Sequence, residues 1–200
     1  MNTQRVVLAS SNAGKLREFS ELLADQGFTL TRQSDFGITP PPETGHTFLE
    51  NALIKARNAA RITGLPAISD DSGIEVDALS GGPGVYSARY AGEDASDEAN
   101  LAKLLAALAG MPPEQRGARY RCVIVYVRHA DDANPLIGEG HWDGCIIDER
   151  RGQGGFGYDP SFVPLGDTRT VAEMPQPEKN LKSHRAMALA AFLARFSRGQ

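Results

Sequence analysis

The spacing of apolar positions changes period several times along the chain, and each change marks an element. Arg5–Ser10, RVVLAS, is short, β-branched and apolar, which predicts a buried strand. SSNAGKLREFSELLADQG reads as a turn opening a helix, with Leu16, Phe19, Leu22 and Leu23 as its apolar stripe and Gly27 as its stop. FTLTRQ predicts a second strand. ITPPPETG predicts a loop, because consecutive prolines fit neither a helix interior nor a central strand. Thr47–Thr63 is the clearest helix. Thr47 and Glu50 form a capping box, Phe48, Ala52, Ala56 and Ala59 share a face, and Gly64 and Pro66 end it.

AIS and IEVDAL then predict two short strands on either side of an acidic pair, Asp70 and Asp71. Ser96 predicts the cap of a helix through Ala109, with Asp97 and Glu98 well placed for its dipole. ARYRCVIVYVRH and LIGEGHWDGCIID predict two long strands joined as a hairpin by ADDANP. RGQGGFGYDPSF is a glycine-rich loop, and a last helix opens near Ser183. Helices alternate with strands early and a hairpin arrives late, so the expected class is α/β with a mixed sheet. The 200 residues show no repeat or linker and predict one domain.

Composition narrows the partners. Apolar residues make up 41% of the chain and charged residues 23%, which suits an ordinary globular core. The net charge of −4 gives no general attraction to nucleic acid, so any polyanion must be held locally. The apolar runs fall short of the ~20 residues a membrane span takes, and the N-terminus lacks a signal-peptide core. Cys122 and Cys145 both sit in strand-like runs and predict buried, reduced thiols of a cytosolic protein. No Cys/His cluster suggests zinc.

Two helix starts carry cations where the dipole disfavours them. Lys15 falls in the first turn after SSNAG. His184 and Arg185 follow Ser183, with Lys179 and Lys182 just before it. Local rules broken in this way point to function. Free N–H groups at a helix start, with an added cation, suit a phosphate. SSNAGK also lies at a strand's carboxyl end, where α/β proteins place ligands. It is not a Walker loop, and no GxGxxG follows a strand.

The candidate carboxylates are Glu43, Glu50, Asp70, Asp71, Glu75 and Asp77. Magnesium prefers a few carboxylates, with water and phosphate completing its shell, so Glu43 and Asp71 could supply part of one. Adjacent strand residues point to opposite faces, which gives Asp70 and Asp71 separate roles. The pair also reads as acidic turn chemistry, DDSG. Phosphate sites and an oxygen-rich cation site together favour a magnesium nucleotide. In GGFGYDP, Phe156 or Tyr158 offers a flat face for a base, and the glycines allow close backbone approach.

The blocks LASSNAGKLREF, PETGHTFLENALIKARNAA, DDSGIEVDALSGGPGVYSARYAG, GGFGYDPSFVP and EKNLKSHRAMAL resemble, in order, the inosine/xanthosine triphosphate pyrophosphatases. The likeness runs from about Val6 to Leu193. It implies an elongated fold, a mixed sheet flanked by helices in two lobes with the active site in the cleft between them, usually as a cytoplasmic homodimer. It implies Mg2+-dependent hydrolysis of ITP, dITP and XTP to monophosphate and pyrophosphate, with no nucleic-acid or membrane partner. On matching positions, Ser10, Ser11, Asn12, Ala13, Gly14 and Lys15 would hold phosphate, with Lys55 as a further contact. Asp71 would be the catalytic base and a metal ligand beside Glu43, and Ser72 would touch substrate. Phe156, Gly157, Tyr158 and Asp159 would form the base pocket, with Phe156 stacking. Lys179, His184 and Arg185 would close over the nucleotide, and Arg185 with the loop backbone would read the base. Lys182 departs from the pattern as an extra cation. The competing readings are a pyrophosphatase for other modified nucleotides and a sensor that binds without hydrolysis.

Overall fold

The computed structural model describes residues 4–23 and 27–197, the side chain of Ala13 excepted. The expected helical run through Ala24, Asp25 and Gln26 lies outside the described residues. Strand β1 (Gln4–Leu8) pairs in parallel with β2 (Phe28–Arg32) and with β3 (Ala67–Val76). With β4 (Gly117–Val127), β5 (Leu136–Ile146) and β6 (Phe162–Pro164) they form a six-stranded sheet of order β2-β1-β3-β4-β5-β6. Because β5 and β6 pair antiparallel, the sheet is mixed, as the alternation of elements predicts. Its helices are α1 (Ala13–Leu23), α2 (Phe48–Thr63), α3 (Asp97–Ala107), α4 (Gln176–Lys182) and α5 (His184–Phe196).

Contacts divide the chain into two compact units. One is formed by residues up to Asp71, Cys122–Gly140 and the chain from Ala186; the other by Ser72–Arg121 and His141–Arg185. Each has its own core. In the first, Val6, Leu8, Phe19, Leu23, Ile68, Ile124 and Phe192 pack together, with Phe28, Tyr126 and Phe196 as neighbouring rings. Gly138 in β5 is required here, because a Cβ would collide with the backbone of Ala188 and Phe192 in α5. In the second, Ile74, Leu101, Leu104, Tyr120, Trp142 and Phe162 cluster.

The capping box of α2 is present as expected. The Thr47 hydroxyl accepts the Glu50 N–H, and Glu50 accepts those of His46 and Thr47. Ser96 caps α3 through the Ala99 N–H, and the helix ends at Ala107 rather than Ala109. Three local readings change. The acidic pair does not divide two strands: β3 runs unbroken through it and is buried over most of its length. Lys179 and Lys182 belong to a separate short helix, α4, in its last turn, where the dipole favours cations. Cys122 is buried, whereas Cys145 is only half-buried, and neither is in a disulfide.

Candidate active site

The first unit gathers one set of the expected residues around the middle of β3. The end of β1 hydrogen-bonds to β3, Ala9 N–H to Ile68 O at 2.8 Å, and leads straight into Ser10–Lys15. Asn12 caps α1: its Oδ1 accepts the Lys15 N–H at 3.0 Å. Ser10 Oγ accepts the Asn12 N–H, and Ser11 Oγ accepts from Gln33 Nε2 at 2.8 Å. Ala13 and Gly14 form the first turn of α1, which holds no acidic residue.

Two charges can stand inside a buried strand because each meets a lysine from a different helix. Asp70 pairs with Lys15 of α1 at 3.0 Å, and Asp71 pairs with Lys55 of α2 at 2.7 Å. Successive strand residues face opposite ways, so the two carboxylates have separate partners. Lys55 reaches a second carboxylate, Glu43 of the proline loop, at 2.9 Å. Lys15 and Lys55 thus serve three carboxylates between them. Burial alone would lower the Lys55 pKa, but Asp71, Asp70 and Glu43 outweigh it and hold the ammonium charged. Burial raises the Asp71 pKa above the ordinary carboxylate value; Lys55 and Lys15 oppose that shift and Glu43 reinforces it.

Asn51, missed in the sequence, is fully buried and ties this group together. Its Oδ1 accepts the Gly45 N–H at 2.8 Å, beside Glu43, and its Nδ2 lies 3.5 Å from Asp71 Oδ2. Asn51 and Lys55 are one turn apart and share a face of α2. The available signal was an asparagine, poor in helix interiors, on the apolar side of that helix. Glu50 and Glu75 are committed elsewhere, to the α2 cap and to Arg121. Among the described residues, no three His, Cys, Asp or Glu side chains could together hold a metal ion.

The second unit gathers the remaining set around Asp159. Its Oδ2 accepts the Phe156 N–H at 2.9 Å and the Lys179 ammonium at 2.8 Å, and its Oδ1 accepts the Tyr120 hydroxyl at 3.0 Å. Both Asp159 and Lys179 are buried. Gly155 takes φ 70°, and a Cβ there would strike the Asp159 carboxylate, so this loop needs its glycine. The Lys179 ammonium lies 4.7 Å from the Phe156 ring centroid and the Arg185 guanidinium 5.7 Å from it. Tyr158 instead turns into the core and donates its hydroxyl to Ser87 O at 2.7 Å. Of the two aromatic candidates for a flat face, the half-buried Phe156 therefore has the suitable placement.

Arg185 is buried and donates to Ser72 Oγ at 3.1 Å, while His184 lies flat against Tyr120 with ring centroids 4.6 Å apart. The Gly157 N–H donates to Asp97 at 2.9 Å. With the Phe156 and Gly157 N–H groups so engaged, the expected reading of a base by loop backbone loses two donors, and Arg185 remains as the stronger candidate.

The fold is α/β, with lysine-held carboxylates in a central strand and, in the second unit, an aromatic ring flanked by two cations on a glycine-rich loop. The chain belongs to the Ham1 family, whose model matches residues 6–195. It is 58% identical over 191 residues to a dITP/XTP pyrophosphatase of Thioalkalivibrio sulfidiphilus, covering 96% of this chain and 97% of that one. It is 55% identical over 190 residues to a dITP/XTP pyrophosphatase of Shigella flexneri, covering 95% and 96%. A solved HAM1 protein from Coxiella burnetii superposes with a TM-score of 0.90 at 45% identity, over 98% of this chain and all of that one. No helix among the described residues is long and apolar enough to cross a membrane.

Proposed function

We propose that this chain hydrolyses non-standard purine nucleoside triphosphates, ITP, dITP and XTP, to the monophosphate and pyrophosphate. The observation that carries the reading is the bridge from Asp71 through the Lys55 ammonium to Glu43. One cation already sits within hydrogen-bond distance of oxygens from both carboxylates. An all-oxygen pair of this kind fits Mg2+, which completes its shell with water and substrate phosphate and needs no three-residue protein cage. Glu43 and Asp71 would hold that ion, which when bound neutralises phosphate oxygens. The names of the relatives support the substrate class.

The residues divide the remaining work. The hydroxyls of Ser10 and Ser11, the start of α1 and the Lys15 ammonium bind the phosphate chain by charge-assisted hydrogen bonds. Lys55 provides a second ammonium for the same chain. Asp71 accepts a proton from the attacking water, a task helped by burial raising its pKa above the ordinary carboxylate value. Phe156 stacks on the purine, with Lys179 and Asp159 fixing its loop. Arg185, with His184 beside it, donates to a 6-oxo group. A 6-amino group would leave those buried donors facing another donor, which penalises adenine strongly. Ser72 touches substrate while holding Arg185. The same reading has the chain act in the cytoplasm as a homodimer, for which light scattering should give twice the chain mass.

Phosphorus NMR of ITP incubated with the protein and Mg2+ tests the reaction. Equal amounts of IMP and pyrophosphate are expected. Accumulation of IDP and orthophosphate would contradict the proposed site of cleavage.

A further inference from the structure

We propose that Tyr120 is a positioning residue for the base pocket, its ring being the platform that fixes the plane of His184. This deepens the function proposed above and rests on it. The Tyr120 and His184 rings lie 4.6 Å apart with only 9° between their planes. Parallel-offset rings at this separation attract each other. An imidazole packed this way also loses the broad freedom about χ2 that such a ring otherwise has.

Tyr120 is itself held by its ring and by its hydroxyl. It lies in the second unit's core at 7% exposure, and its ring meets Phe162 edge-on at 4.7 Å. Its hydroxyl is, among the described residues, the one donor to Asp159 Oδ1, whereas Oδ2 takes Phe156 and Lys179. A single buried side chain thus touches the imidazole at the start of α5 and the carboxylate that organises residues 156–159. Burial, and then Asp159, raise its pKa well above the ordinary tyrosine value, so the hydroxyl stays a donor at neutral pH. Nothing in the strand pattern ARYRCV marks Tyr120 apart from any other core residue.

Packing and positioning predict different kinetics. A lesion of packing alone lowers the active fraction, so kcat falls equally for every nucleotide and KM stays. A lesion of positioning raises KM for ITP and erodes the preference for ITP over ATP. The test compares Tyr120→Phe, which keeps the ring, with Tyr120→Leu, which removes it. Tyr120→Leu should raise the ITP KM about fivefold and lower the ITP-to-ATP ratio of kcat/KM by a similar factor, in keeping with the worth of one aromatic pair. Tyr120→Phe should restore both to within about twofold of the wild type. The His184 ring protons should show a ring-current shift in the wild type and the Phe variant that is lost in the Leu variant. Should Tyr120→Leu fail to fold, Tyr120→Met takes its place with the same expected outcome. An unchanged KM and ratio without the ring overturns the proposal, and so does a Phe variant as impaired as the Leu one. Failure of the wild type to hydrolyse ITP would instead strike the underlying function.

Discussion

Replacing Lys55 by methionine removes a positive charge that serves Asp71 and Glu43, with little change in side-chain volume. The ammonium stands 2.7 Å from Asp71 and 2.9 Å from Glu43, and its side chain is 12% exposed. At an effective dielectric of 20, each attraction is about 6 kcal/mol before desolvation is subtracted. Breaking one side of a buried pair costs about 3–5 kcal/mol in practice. The site has an escape, since one carboxylate can take a proton. From an ordinary pKa of about 3.9, that costs about 5 kcal/mol at pH 7.5 but only about 2 kcal/mol at pH 5.5. Lys55 has its pKa raised in the fold, so its stabilising effect is complete below its unfolded value and persists across both pH values. The pH dependence of the difference therefore comes from the carboxylates in the variant. Thermal melts followed by circular dichroism should show Lys55→Met lower in Tm by about 10 °C at pH 7.5, at about 2–4 °C per kcal/mol for a chain of this size. The gap should shrink to less than half at pH 5.5. A gap that is absent, or equal at the two pH values, would refute the claim that Lys55 neutralises this carboxylate group.

Asp71→Asn should still fold yet lose roughly 10²-fold or more in kcat with ITP, as expected for loss of a positioned base, and near-normal turnover would remove that role. Lys15→Ala should mainly raise the KM for triphosphate, and steady-state kinetics with KM and kcat both unchanged would take Lys15 out of the phosphate site. Away from the site, Asp132 accepts four hydrogen bonds that staple the β4–β5 connection, three from Arg128 and one from the Asn134 N–H. Arg128 holds its carboxyl well below the usual range, so this stabilisation is present above about pH 4 and fades as the pH falls below it. Asp132→Asn should lower Tm by about 2–8 °C at pH 7, for about 1–2 kcal/mol of lost hydrogen bonding, with the difference closing below pH 3. A difference that stays constant to pH 2 would contradict the staple.

The parts of the fold read correctly from the sequence are those where local chemistry and burial agree. RVVLAS begins as a strand in an apolar core, although the strand ends at Leu8, and Thr47 with Glu50 starts α2 by the hydrogen bonds that pattern encodes. The acidic pair looks like an interruption in the sequence because its compensation is distant. Lys15 and Lys55 arrive from two helices to keep Asp70 and Asp71 inside β3, and no local pattern announces that. Helix α4 has no clear local signature, because it is only seven residues long and starts on Pro175 with no side-chain cap. The unusual cations at helix starts were legible, and one has its explanation in the fold, since Lys15 has Asp70 as partner. Asn51, Gln33 and Tyr120 stayed hidden for a different reason. Each acts through side chains far away in sequence, and each looks locally like a helix, strand or core residue.

The central claim is that the acidic group acts on a purine triphosphate chosen by its 6-oxo group. Pyrophosphate release from inosine, xanthosine, adenosine and guanosine triphosphates, measured side by side with Mg2+ and again with chelator, tests it most directly. The account predicts fast release from the inosine and xanthosine substrates, little from adenosine triphosphate, and none with chelator. Equal release from all four, or release that survives the chelator, would contradict it.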